Sequence, residues 1–256
     1  MSAAEAPPEP PRVSIIVTVY NEGAGVVPCL DRICEAVTLP YEILVVYDSP
    51  DDTSRPFVEE YARHNPLVIP TLNTLGRGPA FAIRFGVDRV RAGVFVITMA
   101  DGSDDPHQID ALTHLVERGV AIASASRYMR GGQQIGAPFV KRTLSRGAGL
   151  SLHYLARVGT HDATNSFKAY STDFVRSVGI VSDAGFEVAL ELVAKSRRLR
   201  LPIAEVPTIW LEREGGESKF ALAKWLPRYL YWYRYAFGGR LTLAQVAQAD
   251  PWRKHA

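Results

Sequence analysis

Residues 94–106 read VFVITMADGSDDP, a largely apolar run from Val94 to Met99 that ends in three aspartates, Asp101, Asp104 and Asp105. A run with no polar alternation predicts a short strand buried on both faces of an α/β sheet, which sets the carboxylates at its C-terminal edge. Ligands of open α/β sheets bind at that edge, and clustered carboxylates with little basic compensation hold a hard divalent cation together with substrate phosphates. A structural reading competes. Asp104 or Asp105 could cap a helix opened by Pro106, since Asp at the cap and Pro at the first helical position make a common start. One cap needs one Asp, however, and three are present.

Upstream of this stretch, Val13 to Val19 (VSIIVTV) reads as a first strand, followed by a turn at Tyr20, Asn21, Glu22 and Gly23 and a helix from about Val26 to Val37. Glu42 to Tyr47 (EILVVY) reads as a second buried strand, ending in Asp48 and the loop SPDDT before a helix through Tyr61. A nucleotide can be gripped at such an edge by a stacking Tyr20 and by Glu22 and Asp48 accepting from base or ribose donors. Turn chemistry also favours these residue types, and for Asp51 and Asp52 it is the preferred reading. A weaker strand, Leu67 to Thr71, precedes GRGP, where Gly76 and Gly78 flank Arg77 and Pro79 opens a helix. A glycine turn at a helix start can approach phosphate closely, so Gly76 joins the nucleotide candidates, although GRGP is neither a Walker loop nor GxGxxG.

Downstream, a helix from Pro106 to Arg118 and a strand from Val120 to Ser126 continue the β-α alternation, which predicts a largely parallel sheet. The charge sign then changes: SRYMRGGQQIGAPFVKRTLSRGAG carries Arg127, Arg130, Lys141, Arg142 and Arg146 and no carboxylate. Such a segment beside an acidic edge suits a second, anionic substrate, with Arg forking onto phosphate; a solvated basic face is the plainer alternative. His161 before Asp162 reads as a turn residue, and Glu187 opens a helix over Phe186 to Arg198, where it could simply complement the dipole. Ile203 to Trp210 reads as an edge strand because of Pro207. The glycine-rich loop after it, LEREGGESKF, offers Arg213 and Lys219 to close over a diphosphate.

The last long element, Phe220 to Phe237, is an aromatic helix whose Trp, Tyr, Arg and Lys suit either the headgroup plane of a membrane or a protein interface. The expected divisions are a disordered lead-in at 1–11, a catalytic domain at 12–219, the helix at 220–240 and a loose tail at 241–256. At 256 residues the chain can bury one substantial core, and its net charge of +2 gives no argument for nucleic acid. Cys29 and Cys34, the only cysteines, point apart on a helix, so neither a disulfide nor a zinc site is expected. No apolar run reaches the roughly 18 residues of a membrane span.

In order along the chain, VSIIVTVYNE, ADGSDDP, SRYMRGG, KRTLSRGAG, DATNSFKAY, GFEVALEL and REGGESKF resemble the family 2 glycosyltransferases of GT-A fold. Within them the chain is similar to the dolichol-phosphate mannosyltransferase, or polyprenyl-phosphate glycosyltransferase, group from about Val13 to Phe237. The resemblance implies a Rossmann-like, mostly parallel sheet and transfer of a sugar, mannose favoured, from a nucleotide sugar to a polyprenyl or dolichyl phosphate with inversion. It further implies Tyr20, Glu22 and Asp48 around the nucleoside, Mg²⁺ or Mn²⁺ on Asp101 and Asp104, and Arg213 and Lys219 on the diphosphate. Arg127, Lys141, Arg142 and Ser145 would receive the acceptor phosphate, with Glu187 near the acceptor. A cytoplasmic protein, peripheral at the inner face of the membrane and able to self-associate, is the expected setting.

Three positions depart from the family pattern: Thr18 and Val19 stand where a proline usually precedes YNE, the second strand ends YDSPDDT, and the aspartate motif is DGSDD. An alternative keeps the transferase but makes the acceptor a soluble hydroxyl compound, which requires Glu187 or Asp162 as base. A catalytically silent nucleotide-binding module is a third reading. A Rossmann oxidoreductase ranks last because the first strand lacks the glycine fingerprint.

Overall fold

The computed structural model describes residues 10–136, 139–212 and 222–250. Its strands are β1 (Val13–Thr18), β2 (Tyr41–Tyr47), β3 (Val68–Leu72), β4 (Val94–Met99), β5 (Ile122–Ser126), β6 (Gln133–Ile135), β7 (Lys168–Ser171), β8 (Ile203–Pro207) and β9 (Ile209–Leu211). Seven of them form one sheet in the order β3-β2-β1-β4-β7-β5-β8, and β6 pairs with β9 in a short parallel ribbon. The helices are α1 (Val26–Ala36), α2 (Arg55–His64), α3 (Pro79–Val87), α4 (Ile109–Glu117), α5 (Phe139–Ser151), α6 (Thr172–Val178), α7 (Val188–Leu199), α8 (Leu222–Ala236) and α9 (Leu243–Ala247).

Strand alternation divides the core into two layers. Val13, Ile15 and Val17 of β1 pack with Val26, Leu30 and Ile33 of α1 and with Ile109 and Leu112 of α4. Ile16 faces the other way, into a layer with Ile83 of α3, Val175 of α6, Leu192 of α7 and Trp232 of α8. Successive side chains of a strand point to opposite faces, so a strand covered on both sides is mostly apolar, as β1, β2 and β4 are apart from Ser14, Thr18, Glu42 and Thr98. β8 lies at the sheet margin, where a strand can tolerate Pro207.

One strand breaks the expected parallel order. β7 lies between β4 and β5 and is antiparallel to both, with Val96 opposite Ala169 and Ser124 opposite Lys168. Its beginning therefore reaches the same edge as the ends of β4 and β5, which brings 161–168 to the carboxylate side of the sheet. α7 ends at the opposite edge, just before β8, so its start at Glu187 also faces that side.

The segment entering α7 is held from beneath by a buried ion pair. Glu191 Oε1 accepts from Val181 N and its Oε2 from Ser182 N, both at 2.9 Å, while Lys195 Nζ, 2.6 Å from Glu191, also donates to Gly179 O. Lys195 Nζ lies 5.4 Å from the Trp232 ring centroid, which joins α8 to the same cluster. The helix expected at 220–237 is present as α8 over its described residues. Trp232 and Ala236 are buried, whereas Leu226, Leu230 and Phe237 are exposed.

The tail also differs. Thr242 accepts from Gln245 N and Gln245 returns the bond to Thr242 N, a capping box that starts α9, and Val246 is buried against the core. Among the described residues no helix is long and apolar enough to cross a membrane.

Trp232, at 0% exposure, anchors α8 in the core. Trp232→Ala should therefore lower the unfolding free energy by about 3–5 kcal/mol in urea titrations, as for a large core side chain. A loss below about 1 kcal/mol would mean that α8 is a detachable appendage.

Candidate active site

The loops that follow β1, β2, β4 and β5 leave the sheet at one edge. Val19 N donates to Val46 O and Asn73 N to Tyr47 O, so these loops start side by side. Tyr20 stands out at this edge with 57% exposure, which presents an aromatic face to solvent. Beneath it the backbone is fixed by Asp52, whose Oδ2 accepts from Asn21 N at 3.0 Å and whose Oδ1 accepts from Ser54 N at 2.8 Å. That arrangement tolerates the left-handed φ of 55° at Asn21 and presents Glu22, whose N–H is taken by Ser54 Oγ. Asp52 is structural, as turn chemistry indicated.

Asp48 is more committed than the nucleoside reading requires. Its Oδ2 accepts from Gly78 N at 2.6 Å and its Oδ1 from Asn73 Nδ2 at 2.7 Å, and the same amide group donates to Gly76 O. Asp48, Asn73 and Gly76 thus lock the GRGP turn to the end of β2. Gly78 has φ 109°, which a side chain resists. A Cβ there would meet Ala184 O at 3.4 Å, so this turn adjoins the segment entering α7.

The aspartate loop splits its three carboxylates. Asp105 caps the helical turn that follows, its Oδ1 accepting from His107 N at 3.1 Å and lying 3.0 Å from His107 Nδ1, so one oxygen of the three expected metal carboxylates is taken by the cap. Asp101 Oδ1 accepts from Ser103 N, and Asp104 Oδ2 from Thr98 Oγ1 at 2.9 Å. Burial, reinforced by the charge of Asp101, pushes the Asp104 carboxyl up to about 7. From α1, in the same layer as α4, Arg32 donates to Gly102 O at 2.8 Å and Asp104 O at 3.1 Å, fixing the loop by its backbone and not through the carboxylates. Arg32 was not signalled by the sequence, because it lies on an otherwise ordinary amphipathic helix.

Arg127 departs most from expectation. Its guanidinium forks onto Asp162, Nε to Oδ2 at 2.7 Å and Nη2 to Oδ1 at 2.9 Å, and its backbone N–H adds a third bond to Oδ2. The fork expected for an acceptor phosphate is therefore filled by a carboxylate at 0% exposure. Arg127 lowers the Asp162 pKa against its burial, which also removes Asp162 as a general base. The guanidinium charge still acts on Asp104. Lys168, fully buried below, donates to Asp162 O at 3.0 Å and to Asn165 O, and desolvation brings its pKa down to about 7. His161 is held by Glu205, with Nδ1 2.5 Å from Oε1, and its ring stacks on His153. It is a structural residue, as the sequence reading preferred.

The remaining expected residues arrange themselves around this centre. Ser145 on α5 shares a 2.8 Å hydrogen bond with Thr164, so it docks α5 onto the 162–165 loop. Arg142 and Arg146 on the same helix are exposed. Glu187 is 1% exposed; its Oε1 accepts from Ala184 N, and its Oε2 is buried with no hydrogen-bond partner. Burial raises its pKa. The side chain of Lys141 and all of Arg213 and Lys219 lie outside the described residues. Among the described residues no three His, Cys, Asp or Glu side chains converge as a ready-made metal cluster. Two oxygen-donor carboxylates of one loop, one of them pushed up by burial and by the charge of the other, nevertheless fit a hard cation completed by substrate oxygens.

A model described as glycosyl transferase family 2 matches residues 14–179. The polyprenol monophosphomannose synthase of Mycolicibacterium smegmatis is 28% identical over 82% of this chain and 81% of its own. The undecaprenyl-phosphate mannosyltransferase of Micrococcus luteus is 29% identical over 82% of this chain and 88% of its own. Among solved structures, glucosyl-3-phosphoglycerate synthase from Mycobacterium tuberculosis, in complex with Mn²⁺, UDP and glucosyl-3-phosphoglycerate, superposes with TM-score 0.64 at 15% identity, covering 91% of this chain and 82% of that one. A mannosyltransferase from Pyrobaculum calidifontis, in complex with GDP-Man and Mn²⁺, gives TM-score 0.62 at 19% identity, covering 95% and 72%.

Two outcomes test this geometry. Arg127→Ala should destabilise the protein by about 3–5 kcal/mol in chemical denaturation, since it strands a buried Asp162; a purely substrate-binding arginine would leave stability unchanged. Asp104 has a folded pKa of about 7 against an ordinary value of 3.8, so the fold favours its protonated form. The metal-free wild type should therefore lose stability relative to Asp104→Asn as pH rises between those two values, and the difference should level off above them. Urea midpoints of the two proteins across that range check the sign.

Proposed function

Because the chain belongs to glycosyl transferase family 2 and is a glycosyltransferase, we propose that it moves a sugar, mannose favoured, from a nucleotide diphosphate sugar to a polyprenyl phosphate. The observation that carries this reading is the shared edge: Asp101 and Asp104, the Arg127–Asp162 pair, the start of α7 at Glu187 and the basic helix α5 all meet where the loops leave one sheet. The relatives supply the chemical class, since their names specify mannose and a polyprenyl phosphate.

Tyr20 and Glu22 would hold the nucleoside, and Asp48 would act mainly by keeping Gly76 and the GRGP turn in shape below it. Asp101 and Asp104 would hold Mg²⁺ or Mn²⁺, which when bound neutralises charge on the diphosphate leaving group. Arg213 and Lys219 remain our candidates for the same diphosphate. Lys141 and Arg142, at the start of α5, would receive the acceptor phosphate, and Arg127 would contribute its charge from within its pair with Asp162. An anionic phosphate oxygen needs no strong base to attack the anomeric carbon, which accords with a site whose half-buried His161 and buried Asp162 are both occupied. In-line attack with the leaving group opposite inverts that carbon, and alignment supplies much of the rate.

The lipid would reach the site along the protein surface. Leu226 and Leu230 of α8 and Phe237 just after it are exposed, as are Tyr154 and Leu155, which follow α5, and Ser151 bonds to Tyr233 at 2.9 Å to join the two helices. Exposed apolar side chains with Arg234 among them suit shallow insertion at the cytoplasmic headgroup region.

Asp101→Asn should lower turnover of GDP-mannose onto polyprenyl phosphate by at least about 100-fold and abolish stabilisation by Mn²⁺ with GDP in thermal melts. Label from the wild-type reaction should appear in the organic extract as an acid-labile product. Label confined to the aqueous phase would reject the lipid acceptor, and full activity of Asp101→Asn would reject the metal assignment.

A further inference from the structure

α8 presents an inward face as well as the exposed one. Arg228 reaches from α8 to the segment entering α7. Its guanidinium contacts the Asp183 carboxylate, and its Nη1 lies 3.9 Å from Glu187 Oε1. The next residue, Tyr229, is packed against the core, where the charges of Glu187 and Arg127 both bear on its phenol. Glu187 thus meets Arg228 and Tyr229 from α8, Asp183 from its own loop and Glu191 one turn along α7.

Within this frame Glu187 is divided between two tasks. Oε1 faces Ala184 N and the Arg228 cation, while Oε2 is buried with no hydrogen-bond partner. A carboxylate oxygen kept from water and left without a donor is costly unless a ligand supplies one. We propose that Arg228 is a positioning residue: by holding Oε1 it turns Oε2 toward the cleft to accept from a hydroxyl of the transferred sugar, so that turnover requires α8 to be docked. This rests on the reading of Glu187 as a residue of the transfer site. It ties catalysis to the helix whose other face carries Leu226 and Leu230.

A purely structural Arg228 would tie α8 to Asp183 and nothing more, and the two roles separate by substitution. In the full-length protein, assayed with GDP-mannose and a short-chain polyprenyl phosphate in detergent, Arg228→Gln should lower kcat by roughly 10- to 100-fold while the KM for GDP-mannose stays within about twofold. Arg228→Lys should recover at least half of the lost activity on a logarithmic scale, because a cation returns to Oε1. Asp183→Asn breaks the same contact to α8 but leaves Arg228 on Glu187, so it should lower the melting temperature as Arg228→Gln does and keep kcat within about threefold. Equal losses of kcat in Asp183→Asn and Arg228→Gln would make Arg228 a structural tie and overturn the proposal. Wild-type kcat in Arg228→Gln beside an inactive Glu187→Gln would also overturn it, leaving the transferase reading intact. Full activity of Glu187→Gln, or no turnover by the wild type, would remove the reading beneath it.

Discussion

The pairing of Arg127 with Asp162 is the contact on which the site's shape depends. It joins the end of β5 to the loop that opens β7, two segments 35 residues apart, by a two-pronged bridge reinforced from the backbone. Taking both charges out of water is expensive, and the bridge persists only because each lone pair and N–H is directed. Lys168 and Asn165 secure the same loop by donating to main-chain carbonyls, Lys168 to Asp162 O and Asn165 to Ala125 O. A positive charge is thereby fixed at the sheet edge without occupying the open space above it.

Opposite it, the carboxylates of the aspartate loop have been brought together against their mutual repulsion. Thr98 and the Arg32 contacts to backbone oxygens hold the loop, and neither cancels the charge of both Asp101 and Asp104. The fold therefore stores an electrostatic deficit on one side of the edge and a compensated cation on the other. A phosphorylated ligand with a cation relieves the first and is drawn by the second.

Much of this was legible in the sequence. β1, β2 and β4 announced themselves because burial on both faces leaves a mostly apolar run, and Asp105 and Pro106 followed the ordinary grammar of helix starts. β7 did not, since KAYS is short and carries a buried lysine that periodicity assigns to the surface. Arg127 was recognised as a site residue but given the wrong partner, because a sequence shows charges and not which of two anions an arginine faces. Glu191 and Lys195, four apart on a helix and opposite in charge, have the spacing of a surface pair and lie inside. The start of α9 was readable after all: Thr242 and Gln245 have the spacing of a capping box.

The reversed direction of β7 has a wider effect. The strand stands between β3-β2-β1-β4 on one flank and β5-β8 on the other, so it is the seam along which two parallel runs of the sheet are joined, with both core layers continuing across it. Tyr20, Asp48 and the aspartate loop hang from one half; Arg127 and, through β8 and β9, the approach to α8 hang from the other. Such a seam gives a division of labour between two flanks that still feel one another, since the Arg127 charge on one bears on Asp104 of the other.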